Sequence, residues 1–174
     1  MVRIAVVGAP QSGKTALLRR ITDNVYDLQY EPTERVVTTN WTCSTTVGNV
    51  EVEWLDVPES AEMPTAEIVL LTYALTKANT YRILPLHRER VLTVNPHATL
   101  IMVGCFQDSE HWEISPLGVL FPGQWGIPST IISSSTNYGI QELLTTIVQA
   151  ATGNNDAQLR PLDLRRPELI MASD

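Results

Sequence analysis

Apolar positions along the chain follow two patterns, short unbroken runs and longer stretches at helical spacing, and the two alternate. Residues 4–7 (IAVV), 68–73 (IVLLTY) and 100–103 (LIMV) are unbroken runs, the pattern of parallel strands covered on both faces. Residues 35–44 (RVVTTNWTCS) and 49–55 (NVEVEWL) are rich in β-branched residues and tryptophan, with Gly48-Asn49 between them. They predict an antiparallel hairpin. A sixth strand is expected at 130–132. Leu17, Leu18, Ile21 and Val25 share one face of a helix that follows the first strand. Ile140, Leu143, Leu144, Ile147, Val148 and Ala151 do the same in the last helix, where the period is clearest. A further helix is expected over 79–95, with Pro85 either kinking it or marking its true start. Residues 26–33 lack a period, and Pro32 pushes Glu31 toward an extended conformation, so a loop is expected there. Residues 109–127 carry Pro116, Gly118, Pro122, Gly123 and Gly126, which leaves room for a short helix at most. The alternation predicts an α/β fold: a mostly parallel six-stranded sheet with one antiparallel edge hairpin and helices on both faces.

The periodic pattern stops at Gly153. The expected organisation is one domain over 1–152 and a tail over 153–174. The tail carries Leu159, Leu162, Leu164, Leu169, Ile170 and Met171 among polar and charged residues, so it is either disordered or docked on the domain or a partner. It holds no cysteine, so no prenyl anchor is expected. Hydrophobic residues at 44% and charged residues at 18% describe an ordinary globular protein, and no apolar run approaches a membrane span. A net charge of −7 argues against a nucleic-acid partner, which would need clustered lysine and arginine. Cys43 and Cys105 make no disulfide framework and point to a reducing, cytoplasmic setting. His87, His97 and His111 are scattered away from metal-ligand spacing, so no zinc site is expected.

The chemistry concentrates where the first strand breaks. Residues 8–15, GAPQSGKT, fit G-x-x-x-x-G-K-[ST] in full, between a predicted strand and a predicted helix. Glycines Gly8 and Gly13 let the backbone of Gln11, Ser12 and Gly13 turn its N–H groups toward phosphate oxygens at a helix N-terminus. Lys14 is placed to reach the β- and γ-phosphates, and the Thr15 hydroxyl to ligate Mg²⁺. Such a loop makes the protein a P-loop NTPase in fold and a binder of nucleoside di- or triphosphates.

Over residues 2–152 the chain resembles the Ras-like small GTPases, as a divergent Rab-like member. Beside the glycine loop, the run Tyr30-Glu31-Pro32-Thr33 resembles the first switch, and the resemblance implies that Thr33 closes over Mg²⁺ and the γ-phosphate. Asp56, at the tip of the hairpin's second strand, is similar to the family's magnesium-holding aspartate. Cys105-Phe106-Gln107-Asp108 stands at the guanine-reading strand end, and Ser133-Ser134-Ser135 at the loop that backs the base. The resemblance therefore implies GTP or GDP with Mg²⁺ as cofactors, with Phe106, Asp108, Ser134 and Ser135 at the base and Thr15, Thr33 and Asp56 at the metal. It also implies protein partners, reached through the first switch, the hairpin or the tail. Trp41 and Trp54 on the hairpin are candidates for partner anchors or for core packing.

The departures fall on the parts that do chemistry. Where the family continues D-x-x-G-Q, this chain has Asp56-Val57-Pro58-Glu59-Ser60, so Glu59 replaces the phosphate-sensing glycine and Ser60 the water-orienting glutamine. Glu59 is expected to turn away from phosphate oxygens that repel it. The second switch and its helix look truncated, and Pro10 has no N–H to offer the γ-phosphate. Of the base-reading N-K-x-D only Asp108 remains, with Phe106 able to stack on the base. Hydrolysis is expected to be very slow or absent, and no catalytic residue is assigned. Three functions stay open: a slow switch or assembly subunit, as in the Rab-like members of intraflagellar transport; a pseudo-GTPase scaffold with permanent or no nucleotide; and a small P-loop kinase. The last usually closes an arginine-bearing lid, and residues 91–159 contain neither lysine nor arginine.

Overall fold

The computed structural model describes residues 1–115, 125–160 and the backbone of 168–170. Its centre is a six-stranded sheet in the order β3-β4-β1-β5-β6-β7. The strands are β1 (Val2–Gly8), β3 (Val37–Thr45), β4 (Gly48–Asp56), β5 (Ile68–Ala74), β6 (Thr99–Cys105) and β7 (Ser129–Ile131). Only β3 and β4 pair antiparallel; every other neighbour in this sheet is parallel. The predicted six-stranded sheet with one edge hairpin is therefore the sheet observed.

The unbroken apolar runs explain the layering. Ile4 and Val6 of β1 face one core, with Leu17 and Ile21 of α1 (Lys14–Thr22) and Leu143, Leu144 and Ile147 of α4 (Ile140–Thr152). Ala5 and Val7 face the opposite core, with Leu71 and Tyr73 of β5 and Leu84 and Val91 of α3 (Leu84–Val94). Alternate side chains of one strand supply two cores, so no position of β1 beyond its start can be polar. Glycine closes the strand: a Cβ at Gly8 would lie 2.3 Å from Thr72 Oγ1 and 2.4 Å from the Thr72 carbonyl. The tight crossing lets the chain turn out of the sheet directly above β5.

Some local expectations are met and others are corrected. The helix expected over 79–95 is two, α2 (Ala78–Arg82) and α3, because Pro85 falls in the first turn of α3, where its missing N–H costs nothing. The hairpin turns at Thr46 and Val47, with Gly48 already in β4 at φ 117. Residues 26–33 do not form a loop throughout: β2 (Val25–Asp27) pairs in parallel with β8 (Glu168–Ile170) in a separate two-stranded sheet. Between Asp56 and Ile68 the chain forms no helix. Of the segment 109–127, residues 116–124 lie outside the described residues; the remainder is non-helical. Beyond α4 the chain turns back onto the hairpin. Ala157 and Leu159 are buried, Arg160 N–H donates to Ser44 O at 3.0 Å, and Thr46 N–H donates to Gln158 O at 2.9 Å. Two apolar side chains and a short antiparallel bridge thus hold residues 157–160 against the end of β3. No helix among the described residues is long and apolar enough to cross a membrane.

Candidate functional site

The C-terminal ends of the parallel strands open on a cavity of about 590 Å³, walled by the glycine loop, by residues 26–33, by Pro58-Glu59-Ser60 and by Phe106. Open α/β sheets bind ligands at this end, outside the carboxyl termini of their strands. The loop is built for close approach. Gln11 and Gly13 adopt left-handed φ of 60° and 99°, and a Cβ at Gly13 would meet Cys105 Cβ at 2.8 Å. Ser12 is fully buried; its hydroxyl pairs with Thr72 Oγ1 at 2.8 Å, and Thr72 Oγ1 donates to Val7 O at 3.0 Å. A buried hydroxyl pair thus fixes the loop to β5 while its backbone faces the cavity.

Lys14 Nζ donates to the carbonyls of Gly8 and Ala9, both at 2.9 Å. Burial pulls its ammonium below the ordinary 10.5, and the charges of Asp56 and Glu59 oppose that pull. Thr15 Oγ1 donates to Asp56 Oδ2 at 2.6 Å and lies 3.0 Å from Thr33 Oγ1. Three residues far apart in sequence, Thr15, Thr33 and Asp56, therefore meet at one point. Asp56 is 4% exposed and its second oxygen, Oδ1, is buried without a hydrogen-bond partner. Burial raises the Asp56 carboxyl above its ordinary 3.8, against the Thr15 hydrogen bond and the Lys14 charge. An orphaned carboxylate oxygen beside two hydroxyls fits a hard divalent cation. Among the described residues no cluster of three or more histidine, cysteine or acidic side chains could hold a metal alone. One carboxylate suits Mg²⁺, which completes its octahedron with water and substrate phosphates.

At the opposite end, Phe106 sits in the left-handed region at φ 67, a costly conformation for an aromatic residue. It packs against Gly13 and lines the cavity. Asp108 Oδ2 accepts from Ser135 Oγ at 2.9 Å, and Ser135 Oγ lies 3.0 Å from Ser133 Oγ, so the predicted base loop and its aspartate do come together. Ser134 is buried beside them. Cys105 is a buried thiol under the glycine loop, pushed up to about 12 by desolvation, so it is an inert filler. Trp54 is fully buried, with Trp41 half-buried against it at a ring separation of 6.3 Å. Core packing removes Trp54 from the candidate partner anchors.

Sequence reasoning missed Tyr26 and Lys77. Tyr26 stands on β2 at the cavity wall, and burial, with the Asp108 charge second, raises its phenol above the ordinary 10.0. Phe106 and Tyr26 thus place two aromatic side chains on the cavity wall. Its three-residue strand is too short to show a period. Glu59, expected to turn away, lines the cavity with its carboxylate directed at α3: Oε1 lies 3.6 Å from His87 Nε2. A model of the Ras family matches residues 3–153 of the chain.

Proposed function

The chain belongs to the Ras family, and on that premise we propose that it is an atypical small GTPase that holds GTP or GDP with Mg²⁺ and hydrolyses GTP very slowly or not at all. Lys14 and the loop N–H groups take the phosphates; Thr15, Thr33 and Asp56 take the metal; Phe106, Asp108, Ser134 and Ser135 take the base. The observation that carries this reading is the meeting of Thr15, Thr33 and Asp56 beneath an intact loop, with Asp56 Oδ1 left over. Catalysis by positioning needs a group that orients the attacking water. At that place stand Glu59 and Ser60, the former drawn toward His87. Such a protein acts as a slow switch or as a nucleotide-stapled subunit of a protein assembly, of the trafficking kind.

A scaffold that binds no nucleotide is the second reading, favoured by Cys105, whose thiol leaves the base without the polar amide expected there. One experiment separates them. Purified protein is denatured, its supernatant run on ion-exchange chromatography, and a second sample followed with GTP and Mg²⁺ over hours. Retained guanine nucleotide with GTP surviving for hours is the expected result. Rapid conversion to GDP would sink the slow-hydrolysis reading, and protein that neither carries nor takes up nucleotide would establish the scaffold.

A further inference from the structure

We propose that Lys77 is a second phosphate-binding lysine, which grips the outer side of the glycine loop and donates to the polyphosphate of the bound nucleotide; the inference rests on the nucleotide reading above. Lys77 lies in the turn between β5 and α2 and lines the same cavity as Lys14. Its backbone is held firmly. Lys77 N–H donates to Ala74 O at 3.1 Å, and the fully buried side chain of Thr80 donates to Lys77 O at 2.7 Å while accepting from Ala74 N–H at 2.9 Å. Glu113 Oε2 accepts from Ala78 N–H at 2.8 Å and fixes the next residue. From this anchored point the side chain reaches to Gln11, at the crest of the loop, where Nζ donates to Oε1.

The electrostatics point to an anion. Among the described residues the ion pairs join Arg3 to Glu53, Arg19 to Asp27 and His87 to Glu59; Lys77 has no carboxylate partner. Its ammonium rests on a neutral amide oxygen, as that of Lys14 rests on the carbonyls of Gly8 and Ala9. Two lysines therefore bracket one loop, one from within and one from outside, and each ammonium rests on neutral oxygens that a phosphate could replace. A phosphate oxygen would replace the Gln11 amide readily, since hydrogen bonds between ionised groups are about twice as strong as neutral ones. The effect grows with phosphate charge and is felt by both GDP and GTP.

The test compares wild type with Lys77→Met, Lys77→Arg and Lys14→Ala, using equilibrium binding of GDP, GTP and inorganic phosphate, and thermal unfolding without ligand. Lys77→Met is expected to bind GDP and GTP about tenfold more weakly and with a flatter salt dependence, and Lys77→Arg to recover most of the loss. Unfolding of Lys77→Met should match wild type, because the side chain lies at the surface. If Lys77→Met binds within about twofold of wild type while Lys14→Ala loses binding, Lys77 merely touches Gln11 and the inference falls alone. If wild type binds neither nucleotide, or Lys14→Ala binds as well as wild type, the nucleotide reading falls and takes Lys77 with it. Phosphate binding that responds to Lys77→Met without any nucleotide binding would also overturn it, as an anion site of another kind.

Discussion

Two segments border the cavity, residues 28–36 and residues 57–66, and the molecule treats them in opposite ways. In the first, Leu28 and Tyr30 are more than half exposed, and the segment is tied to the body of the domain through Thr33, which meets Thr15 and Asp56, and through Val36 at its end, half-buried against the core. The second is strapped down. Arg90 of α3 donates to the carbonyls of Glu59 and Ala61, Asn95 Oδ1 accepts from Ala66 N–H at 2.9 Å, and Asn95 Nδ2 donates to Pro64 O at 2.9 Å. Val57 and Met63 add apolar anchors in the core. A segment that responds to a ligand by ordering must be held weakly without it. Of these two segments residues 28–36 meet that condition, so under the proposed nucleotide reading a response to ligand falls on that side of the cavity. In this fold the second segment serves as wall.

The contrast is sharpened or broken by removing the tie of each side. Asp56 ends the strand that leads into the strapped segment and bonds the residue that holds the free one, so its loss should be felt most. Asp56→Asn is expected to speed nucleotide release in Mg²⁺ by about 100-fold, the scale of disrupted metal sites, and to abolish its dependence on Mg²⁺. Stopped-flow fluorescence of a ribose-labelled nucleotide would measure this. A release rate that still responds to Mg²⁺ would mean that the metal sits elsewhere.

Thr33→Ala comes next. It is expected to speed release by roughly tenfold, the value of one lost metal contact or charge-assisted hydrogen bond. Nucleotide-dependent protection of residues 28–36 in hydrogen exchange should vanish with it. Arg90→Ala tests the strap. Two bonds from a guanidinium to backbone carbonyls are lost, so stability should fall by about 1–2 kcal/mol in chemical denaturation. Exchange at residues 59–61 should rise, and nucleotide affinity should stay within about twofold of wild type. A large fall in affinity on Arg90→Ala would show that the strapped segment does take part in binding, and the two sides would then be alike.

The frame was legible because each part leaves a local mark. Unbroken apolar runs gave the buried parallel strands, and GAPQSGKT with its flanking strand and helix placed the phosphate loop. What escaped has no local mark. Lys77, Tyr26, Arg90 and Asn95 act through neighbours remote in sequence: Arg90 reaches Glu59, and Asn95 reaches Pro64 and Ala66. β2 and β8 are each three residues long, below the length at which alternation can be counted. The split of 79–95 into two helices depended on which of two roles Pro85 takes, and only packing of Leu84 and Val91 against the sheet decides it. Glu59 was placed by repulsion from phosphate alone, whereas His87 also acts on it from α3.

The smallest expected effect comes from that same histidine, which lies under the strap. His87 is 3% exposed, and its Nε2 is buried without a hydrogen-bond partner, 3.6 Å from Glu59 Oε1. Burial lowers its pKa from the ordinary 6.5, Glu59 opposes that shift, and the charges of Arg90 and Lys14 reinforce it. A contact of 3.6 Å is beyond hydrogen-bond reach, so the desolvation governs and the native imidazole is neutral. Well above pH 6.5 neither the native nor the unfolded state binds this proton, and stability is complete. As pH falls through 6.5 the unfolded chain takes the proton first, and stability declines until the lowered native value is reached. The slope cannot exceed about 1.4 kcal/mol per pH unit, the limit for one proton. Denaturant unfolding from pH 8 to pH 5 should therefore show wild type losing more stability on acidification than His87→Asn, whatever the offset between the two curves at pH 8. Parallel curves would mean that folding leaves the His87 pKa unshifted, and a wild type that gains stability on acidification relative to His87→Asn would mean that Glu59 holds the imidazole charged, so that the cavity wall carries an ion pair in place of a neutral ring.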